Sequence, residues 1–157
     1  AKRQVIGVFS LDWQRKIAEV LKLLGSEHAM VVHSEGLDEF RVDVPTHVVE
    51  LEEGVITEYD IEPAQLGLDP RTPADLAGIV ADSAESSLAL VKQSLTDDTS
   101  AAADIVALNA GAAIYVGGIA NSLKNGVVMA QDAISSGQAK ERLAELVRIT
   151  SLMAESL

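Results

Sequence analysis

"QVIGVFSLDWQRKIAEVLKLLGSEHAMVVH", residues 4–33, decides the fold. It opens on a short apolar, β-branched run at 4–9 and closes on a second at 28–33. Both are bounded by polar residues, the pattern of buried strands. Between them Ser10 offers a helix N-cap. Ile17, Val20, Leu21 and Leu24 then recur at helical spacing, and Gly25 ends the run. Strand, helix and strand at this spacing make a βαβ unit, so the two strands are expected to be parallel neighbours.

Downstream the pattern changes. "THVVELEEGVITEYDI", residues 46–61, alternates apolar and polar residues around a Glu-Glu-Gly turn. That predicts an antiparallel hairpin with one wet face, on which Glu50, Glu52, Glu53, Glu58 and Asp60 would be solvated. Residues 63–78 hold three of the four prolines and read as a long connecting loop within one domain. From Ala81 to Leu157 the chain reads as helical. Ser83 or Asp82 caps a helix running to about Leu95, and Thr99 or Ser100 caps the next. That segment, "AAADIVALNAGAAIYVGGIA", is apolar all round and should be the most buried helix, with Ala and Gly allowing close neighbours. Ser122 caps a helix to Ser136, and Gly137 ends it. A last amphipathic helix carries Leu143, Leu146, Val147 and Ile149 on one side. The fold class expected is α/β: a partial open sheet with parallel strands and an antiparallel hairpin, followed by a C-terminal group of helices.

Composition narrows the function. At 157 residues and 48% hydrophobic, the chain can bury a core. With 3% aromatics, that core is built from Ala, Val, Ile and Leu. There is no Cys, which removes disulfides and thiolate metal sites and fits a reducing compartment. The net charge of −12 and the lack of a Lys/Arg cluster argue against nucleic acid and anionic membranes as partners. A cation suits this surface better. The long apolar helix approaches the length of a membrane span, but Asp104, Asn109 and Gly117-Gly118 argue against one.

The candidate site follows the second strand. Asp38 and Glu39 lie just past the apolar run ending at His33, and Gly36 permits a tight turn. Loops at the carboxyl ends of strands are where open α/β sheets bind ligands. Carboxylates suit Mg²⁺, which keeps waters and bridges protein to phosphates. Two adjacent acids in extended chain point apart, so they could hold two ions, or one through water. The other reading is an exposed acidic loop, and on residue types alone the common Asp-Glu pair favours it. His28 and His33 have no Cys or close acid at ligand spacing, so zinc is not expected and structural roles are. Asn109, inside an apolar helix, is expected to have a partner bonded to its amide. Trp13 and Tyr115 read as packing residues. No Gly-x-Gly-x-x-Gly or nucleophile elbow occurs, so the residues name no catalytic or substrate-binding group.

A family resemblance goes further. "RQVIGVF", "IAEVLKLLGSEHAMVVHSEGLDEF", "PTHVVELEEGVITEYDI", "DIVALNAGAAIYV" and "AISSGQAKERLAEL" together resemble the second half of anthranilate phosphoribosyltransferase, over essentially the whole chain. "GLDE", residues 36–39, is similar to that family's acidic Mg²⁺ motif. The resemblance implies that Asp38 and Glu39 hold Mg²⁺ on the diphosphate of phosphoribosyl diphosphate while anthranilate's amine attacks the anomeric carbon. It also implies tryptophan biosynthesis, a cytoplasmic enzyme and a homodimer when full length. The family's N-terminal helical domain, Gly-Thr-Gly-Gly-Asp loop, Lys-His-Gly-Asn-Arg segment and anthranilate-contacting Arg do not occur here. Residues 1–157 are therefore expected to be the C-terminal portion of the α/β domain, inactive alone. The alternatives are a related nucleoside phosphorylase and a non-catalytic binding relative.

Overall fold

The computed structural model describes residues 1–155. The opening βαβ unit forms as predicted, with β1 (Arg3–Gly7), α1 (Leu11–Leu23) and β2 (His28–Ser34). β1 and β2 are parallel in the register Arg3↔His28 to Gly7↔Val32. Strand β1 ends two residues earlier than the apolar run suggests. β3 (Thr46–Glu52) and β4 (Val55–Ile61) complete a four-stranded sheet in the order β1-β2-β3-β4, antiparallel after β2. The β3–β4 turn has positive φ at both Glu53 (48°) and Gly54 (80°). That conformation matches the twist of the strands it joins, and Glu is a poor choice for its first position.

Two layers cover the sheet. On one face Ala29, Val31, Val49 and Leu51 pack with Ala18 and Leu21 of α1. On the other, Met30, Val32 and Val48 pack with Phe40, Leu108, Ala112 and Val116. The last three belong to α4 (Ala101–Val116), as the all-round apolar pattern predicts. A close crossing follows between α4 and α5 (Leu123–Ser135). A Cβ on Gly126 would stand 2.2 Å from the Gly111 carbonyl oxygen, and one on Gly111 would stand 2.5 Å from the Val127 nitrogen. Only glycine fits at either position. Ser83, Ser100 and Ser122 are the helix caps, each accepting from a backbone N–H three residues on.

Three expectations need correction. The hairpin does not have one wet face along β3, which is a central strand buried on both sides from Val48 to Leu51, Glu50 included. The buried stripe of α1 is Gln14, Ala18 and Leu21, while Val20 and Leu24 face solvent. Gln14 takes an apolar position because its Nε2 donates to the carbonyls of Val31 (2.8 Å) and His47 (2.9 Å). The segment 63–78 is not one loop. It holds a 3-10 turn at Pro63–Leu66 and a short α2 (Pro73–Ala77), and its Arg71 pairs with buried Asp104 (2.6 Å). Ala84–Ser94 (α3) and Gln138–Glu155 (α6) complete the helices. No described residue of α6 is buried. Among the described residues no helix is long and apolar enough to cross a membrane.

Candidate functional site

Past Ser34 the chain makes a tight turn. Ser34 and Leu37 exchange both backbone hydrogen bonds (3.0 and 3.1 Å), with Gly36 at φ +75° between them. Positive φ at that place in a turn is free of steric cost for glycine. The turn delivers Asp38 and Glu39 to the carboxyl end of β2, beside the end of β1. Both are exposed, and among the described residues neither carboxylate has a hydrogen-bond or ion-pair partner.

Their backbone, by contrast, is held on every side. Asp38 lies across Gly7 so closely that a Cβ there would stand 1.4 Å from the Asp38 carbonyl oxygen. Ser34 Oγ donates to the Glu39 carbonyl at 2.7 Å. The same Oγ is 2.8 Å from Thr46 Oγ1. A serine hydroxyl has one proton, so Thr46 is the donor in that contact. Next along the chain, Phe40 is fully buried in the α4-side core. That burial contributes about 1.5–3 kcal/mol. Asn109 of α4 brackets the Phe40 peptide: Oδ1 accepts from its N–H (3.0 Å), and Nδ2 donates to its carbonyl (3.0 Å). The amide partner expected for Asn109 is therefore the acidic loop itself. Arg41 grips both oxygens of Asp43 (2.9 and 2.7 Å) and donates back to the Glu35 carbonyl, which closes the loop. The guanidinium is held above its already high range, chiefly by that hydrogen bond to Asp43. Glu39 and Arg41 also line a cleft of 420 Å³ between this loop, α2 and Ile105 of α4.

The remaining candidates divide. His33 contacts the Val8 carbonyl (2.7 Å) and is structural, as expected. His28 does have a close acid: its Nε2 is 2.7 Å from Glu50 Oε1, contributed by the neighbouring strand. Tyr115 is half-buried and meets His28 edge-on, with ring centroids 4.8 Å apart. Trp13 is not a packing residue. Its ring is half-exposed, with Lys16 Nζ 4.9 Å from the centroid. Sequence reasoning missed Gly7, Ser34 and Arg41 as loop supports. Only Gly7 carried a signal, since a glycine at a strand end often marks close approach of another backbone.

The family model of the glycosyl transferase family, a/b domain, matches residues 1–140. The chain belongs to that family. It is 51% identical over 156 residues to the anthranilate phosphoribosyltransferase of Teredinibacter turnerae, covering 96% of this chain and 45% of the relative. It is 54% identical over 153 residues to that of a Marinomonas species, covering 96% and 43%. The crystal structure of anthranilate phosphoribosyltransferase from Thermus thermophilus superposes with a TM-score of 0.79 at 37% identity, over 90% of this chain and 41% of that one. The Saccharomyces cerevisiae enzyme in complex with PRPP and Mg shares the fold, with a TM-score of 0.74 at 22% identity over 90% and 41%. The chain thus spans less than half the length of the curated relatives it matches.

Proposed function

We propose that residues 1–157 are the C-terminal portion of the α/β domain of an anthranilate phosphoribosyltransferase, and that Asp38 and Glu39 hold Mg²⁺ against the diphosphate of phosphoribosyl diphosphate. The observation that carries this is the contrast within one loop, where two solvent-facing carboxylates with no partner among the described residues sit on a backbone clamped by Gly7, Ser34 and Asn109. A merely solvated acidic loop has no need of such fixation, whereas preorganisation is what a metal-positioning group requires. The donor set fits the ion: hard carboxylate oxygens facing water, beside an open cleft. Relatives at 51% and 54% identity with this activity support the assignment.

In this reading the residues act in sequence along the chain. The Asp38 and Glu39 carboxylates place the cation where the diphosphate leaves. Bound Mg²⁺ supplies neutralisation of the charge that develops on the leaving diphosphate. Arg41, bonded to Asp43 and to the Glu35 carbonyl, braces the loop. The reading carries with it a place in tryptophan biosynthesis, a cytoplasmic location and a homodimer of the longer protein. The match covers 45% of the relative's length, so in this reading the chain alone should not transfer phosphoribosyl groups.

The test is steady-state kinetics of Asp38→Ala/Glu39→Ala in the longer protein, across a Mg²⁺ titration. Turnover should fall on the order of a hundredfold. Anthranilate affinity should hardly move, and circular dichroism and melting should match the parent, because exposed loop acids contribute little to stability. Parental turnover with an unchanged Mg²⁺ dependence would overturn the assignment.

A further inference from the structure

The other end of β2 carries a second group of ligating side chains that the transferase reading leaves without a role. His28 opens β2, and Glu50 and Glu52 lie on β3, with His28 directly opposite Glu52. Residues alternate along a strand, so all three point to the face covered by α4. One ligating atom from each lies within 4.8 Å of the other two. His28 and Glu50 are only 4% and 7% exposed, and Glu52 is exposed. β2 spans seven residues, which puts this group roughly 20 Å from the Asp38–Glu39 loop.

Three features make it a built site. The buried pair is oriented from behind: Tyr59 Oη donates to Glu50 Oε2 at 2.7 Å, and Tyr115 packs edge-on against the His28 ring. The Tyr59 hydrogen bond fixes the direction of the Glu50 carboxylate, as outer-shell partners of metal ligands do, and the Tyr115 contact restricts the His28 ring. An open cleft of 410 Å³, lined by His28, Glu52, Glu53, Glu27 and Arg3, gives access. Its charge favours a cation, because Arg3 is already engaged by Glu27 (3.5 Å) and by the Val116 carbonyl at the end of α4 (3.1 Å).

We propose that His28, Glu50 and Glu52 bind a divalent transition metal of the zinc class, at a site separate from the acidic loop. One imidazole nitrogen and two carboxylate oxygens are a borderline donor set suited to Zn²⁺ or Co²⁺, and ill suited to Mg²⁺, which takes oxygen. The ion replaces the short His28–Glu50 hydrogen bond: the Nε2 proton is released to solvent or the ring takes its Nδ1–H tautomer, so that Nε2 offers its lone pair, and Glu52 swings in from solvent as the third ligand. Its effect is to tie β2 and β3 together at the edge of the α4 layer.

The test uses Co²⁺ as the probe on the purified 157-residue chain. A visible d–d absorption band should saturate at one ion per chain, and Zn²⁺ should displace it and raise the urea unfolding midpoint. Glu52→Gln alters an exposed side chain, so folding should be unchanged by circular dichroism while Co²⁺ affinity falls at least about tenfold. Asp38→Ala/Glu39→Ala should leave the band as it was. No band with millimolar Co²⁺ would overturn the proposal. So would a band indifferent to Glu52→Gln, or one abolished by the loop substitutions.

Discussion

The two ends of the sheet use carboxylates in opposite ways. At the carboxyl end, Asp38 and Glu39 leave their side chains in water while their peptides are clamped. At the amino end, Glu50 is buried and its side chain is the clamped part, accepting from His28 and Tyr59. In the first arrangement the backbone bears the structural load and the carboxylates bear none of it. In the second the carboxylate itself joins strands and satisfies donors, so it is costly to remove. The difference teaches that an acid's role follows from which of its atoms the fold restrains.

The comparison can be broken by substitution. Glu50→Ala strands the His28 and Tyr59 donors in the interior and should cost about 3–5 kcal/mol, read from urea unfolding. A loss under about 1 kcal/mol, as for a surface acid, would erase the contrast between the two ends. Gly7→Ala attacks the other end through its backbone. The new Cβ meets the Asp38 peptide, so the loop must shift, and stability should fall by about 1–3 kcal/mol. In the longer protein the same change should lower turnover without touching either carboxylate. A Gly7→Ala enzyme with parental Mg²⁺ dependence would show that the clamp is irrelevant to the acids.

A third measurement sharpens the amino-end account. Burial first, and then the hydrogen bond to Glu50, push the Tyr59 phenol far above its ordinary value of 10.0, and Tyr115 is raised for the same reasons. Below pH 10 both folded and unfolded chains hold these protons, and stability is fully present. Above it the unfolded chain releases them while the folded chain does not, so stability falls as pH rises. Urea midpoints at pH 8 and pH 11 should therefore diverge, and Tyr59→Phe should shrink the difference. Equal divergence in parent and variant would remove Tyr59 from the account. The smallest effect is at the β3–β4 turn. Glu53→Asn relieves a positive φ that Asn tolerates, and should stabilise by about 0.5 kcal/mol. No gain would mean that the Glu53 backbone carries no strain.

How much of this was legible depends on distance along the chain. The βαβ unit, the hairpin, the serine caps and the buried α4 rest on local periodicity and capping chemistry, and they stand in the sequence. Asp38 and Glu39 were visible as a pair just beyond an apolar run. What holds them was not, because Gly7 and Asn109 come from remote segments and reach the loop only when the sheet and α4 are assembled. Glu50 was misread for the same reason. A glutamate on an alternating strand looks wet, and only its cross-strand neighbour His28 and the distant Tyr59 make burial affordable. α1 was misread because Gln14 and Ala18 carry too little hydrophobic signal to outweigh Val20 and Leu24, although Gln14, Ile17, Ala18 and Leu21 have the right spacing.

Helix α6 is fixed at its first turn, where Ala139 packs against the Ala107–Ala130–Ile134 cluster, and none of its described residues is buried beyond that point. A helix supported mainly by its own ladder is marginal in water. Its amide protons should therefore exchange with solvent through local fraying that costs little free energy, while those of α4 wait for the whole core to open. The chain thus has a graded structure in time, with a slow centre around the Gly111–Gly126 crossing and a fast C-terminal arm that unravels and re-forms many times for each global unfolding.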